Sequence, residues 1–312
     1  AVVKYFNKTE AEGGEANIIK DTGSTNTWDI GSVCFDDLNV DKYHYVNDIS
    51  FTFTITNNSA FYVDVTVDQK CINNDRIFIY APNNGETLAP KGQDGSSVTL
   101  IVKIQLEKDA NGEYSALPSA IDLSQASPLL NFQKSQAPAY LATDWKTQIT
   151  TTYGISDIKT TTKVSFLREI NDTLLTNYDK NEDGTYKTVS VGAINENSTA
   201  GNLTENVNDV TAYYNSTNKE IILYSPARIY APQSCQTLFI AWSKLVNLNL
   251  DNFDTSKTKN MAAMFSGVQN AIINMETINV SNMDTSNVDN SGSSFAQMFA
   301  NSNIKSLDLR NF

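Results

Sequence analysis

Apolar and polar residues alternate with a period of two through much of the N-terminal part of the chain. Ile49, Phe51, Phe53 and Ile55 interleave with Ser50, Thr52, Thr54 and Thr56. After Asn57-Asn58-Ser59 the alternation resumes as Phe61, Val63, Val65 and Val67 against Tyr62, Asp64, Thr66 and Asp68. Side chains of a strand point to opposite faces in turn, so each run predicts a half-buried strand, and the polar turn between them predicts a hairpin. Val98, Leu100, Val102, Ile104 and Leu106 predict a further long strand, closed by the turn Asp109-Ala110-Asn111-Gly112. Shorter strands are expected at Thr27–Phe35 and Arg76–Tyr80. Many strands, turn clusters and no helical stripe predict a mainly β fold opening with a β-sandwich over residues 1–126, immunoglobulin-like or jelly-roll-like.

Residues 127–234 change character. Pro128, Pro138 and a Gln/Ser/Ala-rich composition mark a linker running into Tyr140–Ile149, where one short helix is expected. Strands at Lys163–Leu167, Thr188–Ile194, Val210–Tyr214 and Glu220–Tyr224 would then form a β-rich cap. Between them, Asp179-Lys180-Asn181-Glu182-Asp183-Gly184 matches the first half of a calcium loop, with Asp179, Asn181 and Asp183 as candidate ligands. The bidentate acid that should close such a loop falls on Ser190. Asp, Asn and Gly also favour turns, so half a motif in so Asn/Asp-rich a chain reads more readily as a hairpin turn.

From Cys235 the chain repeats itself. Leu248-Asn249-Leu250-Asp251-Asn252-Phe253-Asp254-Thr255-Ser256 recurs as Ile278-Asn279-Val280-Ser281-Asn282-Met283-Asp284-Thr285-Ser286, and begins again as Leu307-Asp308-Leu309-Arg310-Asn311-Phe312. After each full phrase comes an apolar trio at i, i+3, i+4: Met261, Met264 and Phe265, then Phe295, Met298 and Phe299. Cys235, Leu238 and Phe239 repeat that spacing upstream. Each unit therefore reads as a short strand, an Asp-Thr-Ser turn and about two turns of helix. So small a unit cannot bury its apolar face alone, and stacking of copies predicts a leucine-rich solenoid over 235–312 with these nine residues as its core. Cys235 aligns with Met261 and Phe295, so packing is its expected role.

The stretch Asn252-Phe253-Asp254-Thr255-Ser256-Lys257-Thr258-Lys259-Asn260-Met261-Ala262-Ala263-Met264-Phe265-Ser266-Gly267 resembles the repeat of the BspA-type leucine-rich surface proteins. Thr143–Thr150 and Ile221–Phe239 resemble the region preceding the repeats in that family, so the likeness spans roughly residues 140–312. The second copy departs from the pattern: Met283 replaces Phe, Gly292 enters, and extra residues follow Gly267. The resemblance implies a secreted or wall-anchored bacterial protein acting as an adhesin, with no catalytic residues.

Composition narrows the chemistry. The 312 residues carry 23 Lys+Arg against 35 Asp+Glu, a net charge of −12. Without a basic face the chain is not expected to bind nucleic acid or an anionic membrane surface. The lone His44 has no nucleophile motif nearby, no His cluster or paired CxxC spacing offers a metal site, and no glycine-rich phosphate cradle occurs; neither an enzyme activity nor a cofactor is expected. Cys34 and Cys71 fall in the first domain, where they either pair as a disulfide or sit as small buried hydrophobes. No run of apolar residues is long enough to span a membrane, so membrane attachment would come through an anchor outside this chain. The last strand phrase lacks a capping unit, which predicts more repeats beyond residue 312.

These readings converge on an extracellular binding protein whose partner is a protein or glycan. The alternative is a structural subunit of a surface or biofilm matrix, and a third reading is an accessory region of a larger hydrolase. In each phrase the flanking apolar residues should point inward, leaving Asn249, Asn279 and Asp308 as an outward row extended by Asp251, Ser281 and Arg310. That row reads either as a docking strip or as asparagines hydrogen-bonding one another along the stack.

Overall fold

The computed structural model describes residues 3–7, 32–34, 49–67, 70–72, 77–81, 85–106, 120–122, 130–201, 203, 207–267, 275–281, 283–289, 292–309 and 312. The fold is mainly β and divides into two units, Ala1–Ser135 and Gln136–Phe312.

The strands of the first unit are β1 (Val3–Asn7), β2 (Ser32–Cys34), β3 (Ile49–Thr56), β4 (Val63–Val67), β5 (Lys70–Ile72), β6 (Ile77–Tyr80), β7 (Gly85–Leu88), β8 (Ser97–Leu106), β9 (Ala120–Asp122) and β10 (Leu130–Lys134). One sheet has the order β1-β3-β8-β6-β5, a second β10-β4-β7, and β2 pairs with β9. The period-two pattern sorts side chains as expected: Ile55, Val65, Val67, Leu100 and Val102 are buried, and Ile101 faces out.

The expected hairpin between β3 and β4 does not form. β3 pairs with β1 and β8, whereas β4 pairs with β7 and β10, so the turn between them carries the chain from one sheet to the other. Asn57 accounts for this. Its buried Nδ2 donates to Phe61 O and Ala89 O, both at 2.8 Å, while its Oδ1 accepts from Ser59 N at 2.9 Å. An asparagine bonded both to its own corner and to a distant loop fixes an arch, which hydrophobic alternation does not register. Asp64, expected on the polar face, is buried and accepts from Thr87 Oγ1, across the strand pair, at 2.5 Å.

The expected linker is also revised. β10 pairs along the whole of β4, from Leu130↔Val67 to Lys134↔Val63, so the division falls after Ser135 and not at residue 126. Cys34 and Cys71 lie in different sheets, and their side chains are outside those described, as are His44 and the turn Asp109–Gly112.

The second unit comprises β11 (Ala139–Leu141), α1 (Trp145–Tyr153), β12 (Lys163–Leu167), α2 (Asp172–Leu175), β13 (Thr188–Ser190), β14 (Gly192–Ala193), β15 (Thr211–Asn215), β16 (Glu220–Tyr224), β17 (Ile229–Tyr230), β18 (Asn247–Asn249) and β19 (Phe253–Asp254). α1 buries Trp145 and Ile149, one turn apart, and ends where Gly154 adopts φ +64 and donates its N–H to Thr150 O. The sheets run β13-β15-β16-β12-β18 and β14-β11-β17-β19, with β12 parallel to both β16 and β18 and β17 parallel to both β11 and β19. One core extends from Ala139 to Met298, so the expected division between residues 234 and 235 is not seen.

The expected helices of the repeat are absent among the described residues: 235–242, 261–267 and 294–301 are runs of turns. Leu238, Ile240 and Trp242 donate their N–H groups to the carbonyls of Cys235, Thr237 and Phe239. The intervening N–H groups leave the coil. Those of Cys235, Thr237, Phe239 and Ala241 bond to Asn260, Ala262, Met264 and Ser266 O at 2.8–2.9 Å. Those of Met261, Ala263, Phe265 and Gly267 bond to Ser294, Ala296, Met298 and Ala300 O at the same lengths. Thr237, Ala241, Ala263, Gln297 and Asn301 take φ between 52° and 61°, which a right-handed helix cannot contain. Turns that close every two residues, with a left-handed residue every fourth, return i and i+4 to one face just as a helix does, so the apolar spacing is the same for both. Each left-handed residue costs about 1 kcal/mol, offset by the bonds between coils.

Candidate binding face

The inner side of the coils is apolar. Cys235, Leu238, Phe239, Met261, Met264, Phe265 and Met298 are buried, and Phe299 packs partly buried against them. Phe295 departs from the expected core, being 38% exposed in the last described coil, with its ring 6.1 Å from Phe312. Phe239 and Phe265 stack at 5.8 Å, and Phe265 and Phe299 at 5.5 Å, so one aromatic column passes through three coils. Cys235 Sγ lies 3.5 Å from Pro232 O and 3.7 Å from Thr258 Oγ1, and burial pushes its thiol up to about 12. At the first coil α1 closes the stack: the Trp145 ring lies 6.4 Å from Phe239, and Lys146 Nζ donates to Leu238 O at 2.8 Å. Burial, with the Lys159 charge adding to it, pulls the Lys146 ammonium below its usual range.

The outer side carries the polar row. Leu248, Leu250, Ile278 and Val280 are buried, whereas Asn249 is half-buried and Asn279 and Asp308 are exposed. The third phrase is looser: Leu307 packs against the core, but Leu309 is 41% exposed, contrary to the expected inward placement. The three phrases do not form one continuous ladder either. Of their Leu-x-Leu-type segments, only that of the first phrase lies in a strand among the described residues, Asn247–Asn249, and its partner is the upstream β12. An isolated parallel bridge, Thr277↔Ser306, joins the second and third phrases in a register that sets Asn279 beside Asp308.

Asn249 and Asn279 close their own turns. Asn249 Oδ1 accepts from Asp251 N at 2.8 Å, and Asn279 Oδ1 accepts from Ser281 N at 3.0 Å and from Ser281 Oγ at 2.6 Å. The expected asparagine-to-asparagine bonding along the stack is thus replaced by a bond within each copy, because an Asx turn is satisfied two residues on. Asp251 is exposed, Ser281 is half-buried, and Arg310 lies outside the described residues. The row offers amide, carboxylate and hydroxyl groups held in fixed turns, an arrangement fitted to hydrogen-bonding a ligand.

The second unit also holds a set of buried polar groups that the sequence reading missed. Asn252 Nδ2 donates to Ala227 O at 2.9 Å and to Leu167 O and Ser225 O at 3.3 Å, while its Oδ1 accepts from Arg168 Nε at 2.8 Å. Arg228 and Asp254 form a buried ion pair at 2.6 Å, and Asp254 Oδ1 also accepts from Ser256 N at 2.7 Å. Asp284 repeats that last bond with Ser286 N, and Thr255 Oγ1 both donates to Asp284 O and accepts from Asp284 N at 2.8 Å. The recurrence of Asn252 as Asn282 and Asn311 is the signal that marks the asparagine; nothing in the spacing marks Arg228.

The calcium-loop residues form a turn. Asp179 Oδ1 accepts from Ser216 N and Oγ, Asn181 Nδ2 donates to Thr185 Oγ1, and Asp183 Oδ1 accepts from Thr185 N and Oγ. Gly184, at φ +84, completes the reversal, and Lys180 bridges to Tyr186. Among the described residues no three His, Cys, Asp or Glu side chains group as a metal site, and no helix is long and apolar enough to cross a membrane. Scans against family models, curated proteins and solved structures each found no match.

Proposed function

We propose that the chain is a non-enzymatic binding protein of a bacterial cell surface, whose stacked coils are a short leucine-rich solenoid presenting a polar face to an extracellular protein or glycan. In this reading the first unit is a β-sandwich that serves as spacer or second module. The observation that carries the proposal is the pair of Asx turns, Asn249-Asp251 and Asn279-Ser281, each held at the surface beside buried apolar residues of its own phrase. Polar groups held rigid before binding lose little conformational freedom when a ligand docks. The resemblance of Asn252–Gly267 to BspA-type repeats supports the same function.

The test is direct binding of the purified chain to immobilised extracellular-matrix proteins and to a glycan panel, beside its mass in solution as a function of concentration. Saturable binding by a monomer supports the proposal. Concentration-dependent assembly without ligand binding favours a structural matrix subunit instead.

A further inference from the structure

The acidic excess of the chain has a local exception. β12 runs parallel to both β16 and β18, so the N-terminal ends of the three strands lie together at one end of their sheet. Thr162, just before β12, ties that end together. Its N–H donates to Lys219 O at 2.8 Å, and its carbonyl accepts from Val246 N at 2.9 Å and Asn247 N at 3.3 Å. Four lysines flank this junction. Lys163 follows Thr162, Lys219 is bonded to it, Lys244 stands two residues before Val246, and Lys159 lies in the short turn Ile158–Thr160. Lys159, Lys219 and Lys244 are exposed and Lys163 is half-buried, and among the described residues none of the four forms an ion pair. The carboxylates beside them in the chain are engaged: Asp157 Oδ1 accepts from Lys159 N at 3.0 Å, and Glu220 Oε2 from the Tyr178 hydroxyl at 3.4 Å. A fifth cation, Lys146, lies close enough to Lys159 for the two charges to repel. Like charges gathered without neutralisation hold a positive potential that an anionic ligand relieves.

We propose that this end of the sheet binds an anionic polysaccharide, whose uronate or sulfate groups meet Lys159, Lys163, Lys219 and Lys244. The surface among the lysines fits a sugar. Val246 is 62% exposed and gives an apolar contact for the C–H face of a ring, while Asn218 and Asn247 expose amides to its hydroxyls. Lysine presents a flexible point charge, suited to a linear polymer whose anionic groups vary in spacing. Single-stranded nucleic acid fits less well, because the ring beside Lys219, that of Tyr214, is buried and offers no face for a base to stack on. An anionic bilayer is broad enough to meet the acidic remainder of a chain that carries −12 overall. The site shares no residue with the polar row and does not rest on it, so either can fail alone.

The probe is a heparin-derived octasaccharide, titrated into the intact chain at about 0.05 M and about 0.5 M salt. A neutral glucan of the same length, a single-stranded oligonucleotide and phosphatidylserine vesicles are measured beside it. Saturable binding of the octasaccharide is expected at the lower salt, with screening at the higher and none by the glucan. Lys159→Gln, Lys163→Gln, Lys219→Asn and Lys244→Gln together should weaken it about tenfold or more. Asparagine at 219 suits the φ of 59° there. The pair Lys159→Gln and Lys244→Gln, confined to exposed side chains, should give an intermediate loss with the melting temperature unchanged. No binding by the unaltered chain, or equal binding by the fourfold variant, overturns the proposal. Lysine-dependent binding of the oligonucleotide or the vesicles at equal strength overturns it too, in favour of a general polyanion surface. Loss of octasaccharide binding when Asn249, Asn279 and Asp308 are replaced with Ala would also overturn it, and move the site to the polar row.

Discussion

The rings of Phe239 and Phe265 lie 5.8 Å apart and within 4° of parallel, although 26 residues separate them in the chain. The stack follows from the four coil-to-coil bonds on either side of it, which set Phe239 N on Met264 O. Because Phe265 also stacks on Phe299, it is the middle ring of the column. Phe265→Ala should cost about 3–5 kcal/mol and Phe265→Leu distinctly less. Equilibrium denaturation with a probe in the second unit measures both; equal and small losses would show that the column contributes little.

Two asparagines three residues apart should behave oppositely. Asn252 is buried with its amide shared among three carbonyls and its oxygen held by Arg168, so Asn252→Ala leaves several buried groups unsatisfied and should cost about 2–4 kcal/mol. Asn249 only closes a surface turn, and Asn249→Ala should cost about 0.5 kcal/mol. Comparable losses in denaturant midpoint would contradict this division between layer and face.

The Arg228–Asp254 pair is buried on both sides, at 9% exposure each. Asp254→Ala strands the guanidinium and removes the cap on Ser256 N, with an expected loss of about 3–5 kcal/mol. Replacing both residues with apolar ones should recover part of that loss, which a double-mutant cycle reads.

Cys235 gives a pH signature. Its folded thiol is raised from 9.0 to about 12, so below pH 9 it is protonated in both states and adds nothing to the pH dependence. Above that, the unfolded chain releases a proton that the folded chain keeps, and stability falls by up to about 1.4 kcal/mol per pH unit. Cys235→Ala should flatten this part of the pH profile. Cys235→Ser should cost about 1–3 kcal/mol, and labelling of the native thiol, followed on the Cys235 peptide by mass spectrometry, should be slow. Rapid labelling would contradict its burial.

Most strands were legible: β3 and β8 fall close to their apolar alternation, and β6, β12, β15 and β16 fall close to the short runs expected as strands, although β6, β12 and β16 bury consecutive residues and so are covered on both faces. Their partners were not, because alternation does not say which edge a strand joins. β4 leaves β3 through the buried Asn57, and β12 enters between β16 and β18 from far upstream. The repeat gave the alignment of Cys235 with Met261 and of Met261 with Phe295, the register in which the coils bond. It could not distinguish a helix from a chain of turns, since both bring i and i+4 together. On the outer row, alternation pointed Asn249 and Asn279 outward, but their Asx bonds depend on turn geometry that spacing does not encode.

The decisive measurement is binding per folded molecule after Asn249, Asn279 and Asp308 are replaced together with Ala. On a matrix protein or glycan that the unaltered chain binds, affinity should fall about tenfold or more, while the melting temperature drops by only about 3–5 °C. A sharp fall in melting temperature with binding per folded molecule unchanged would contradict the assignment and make the row a structural element.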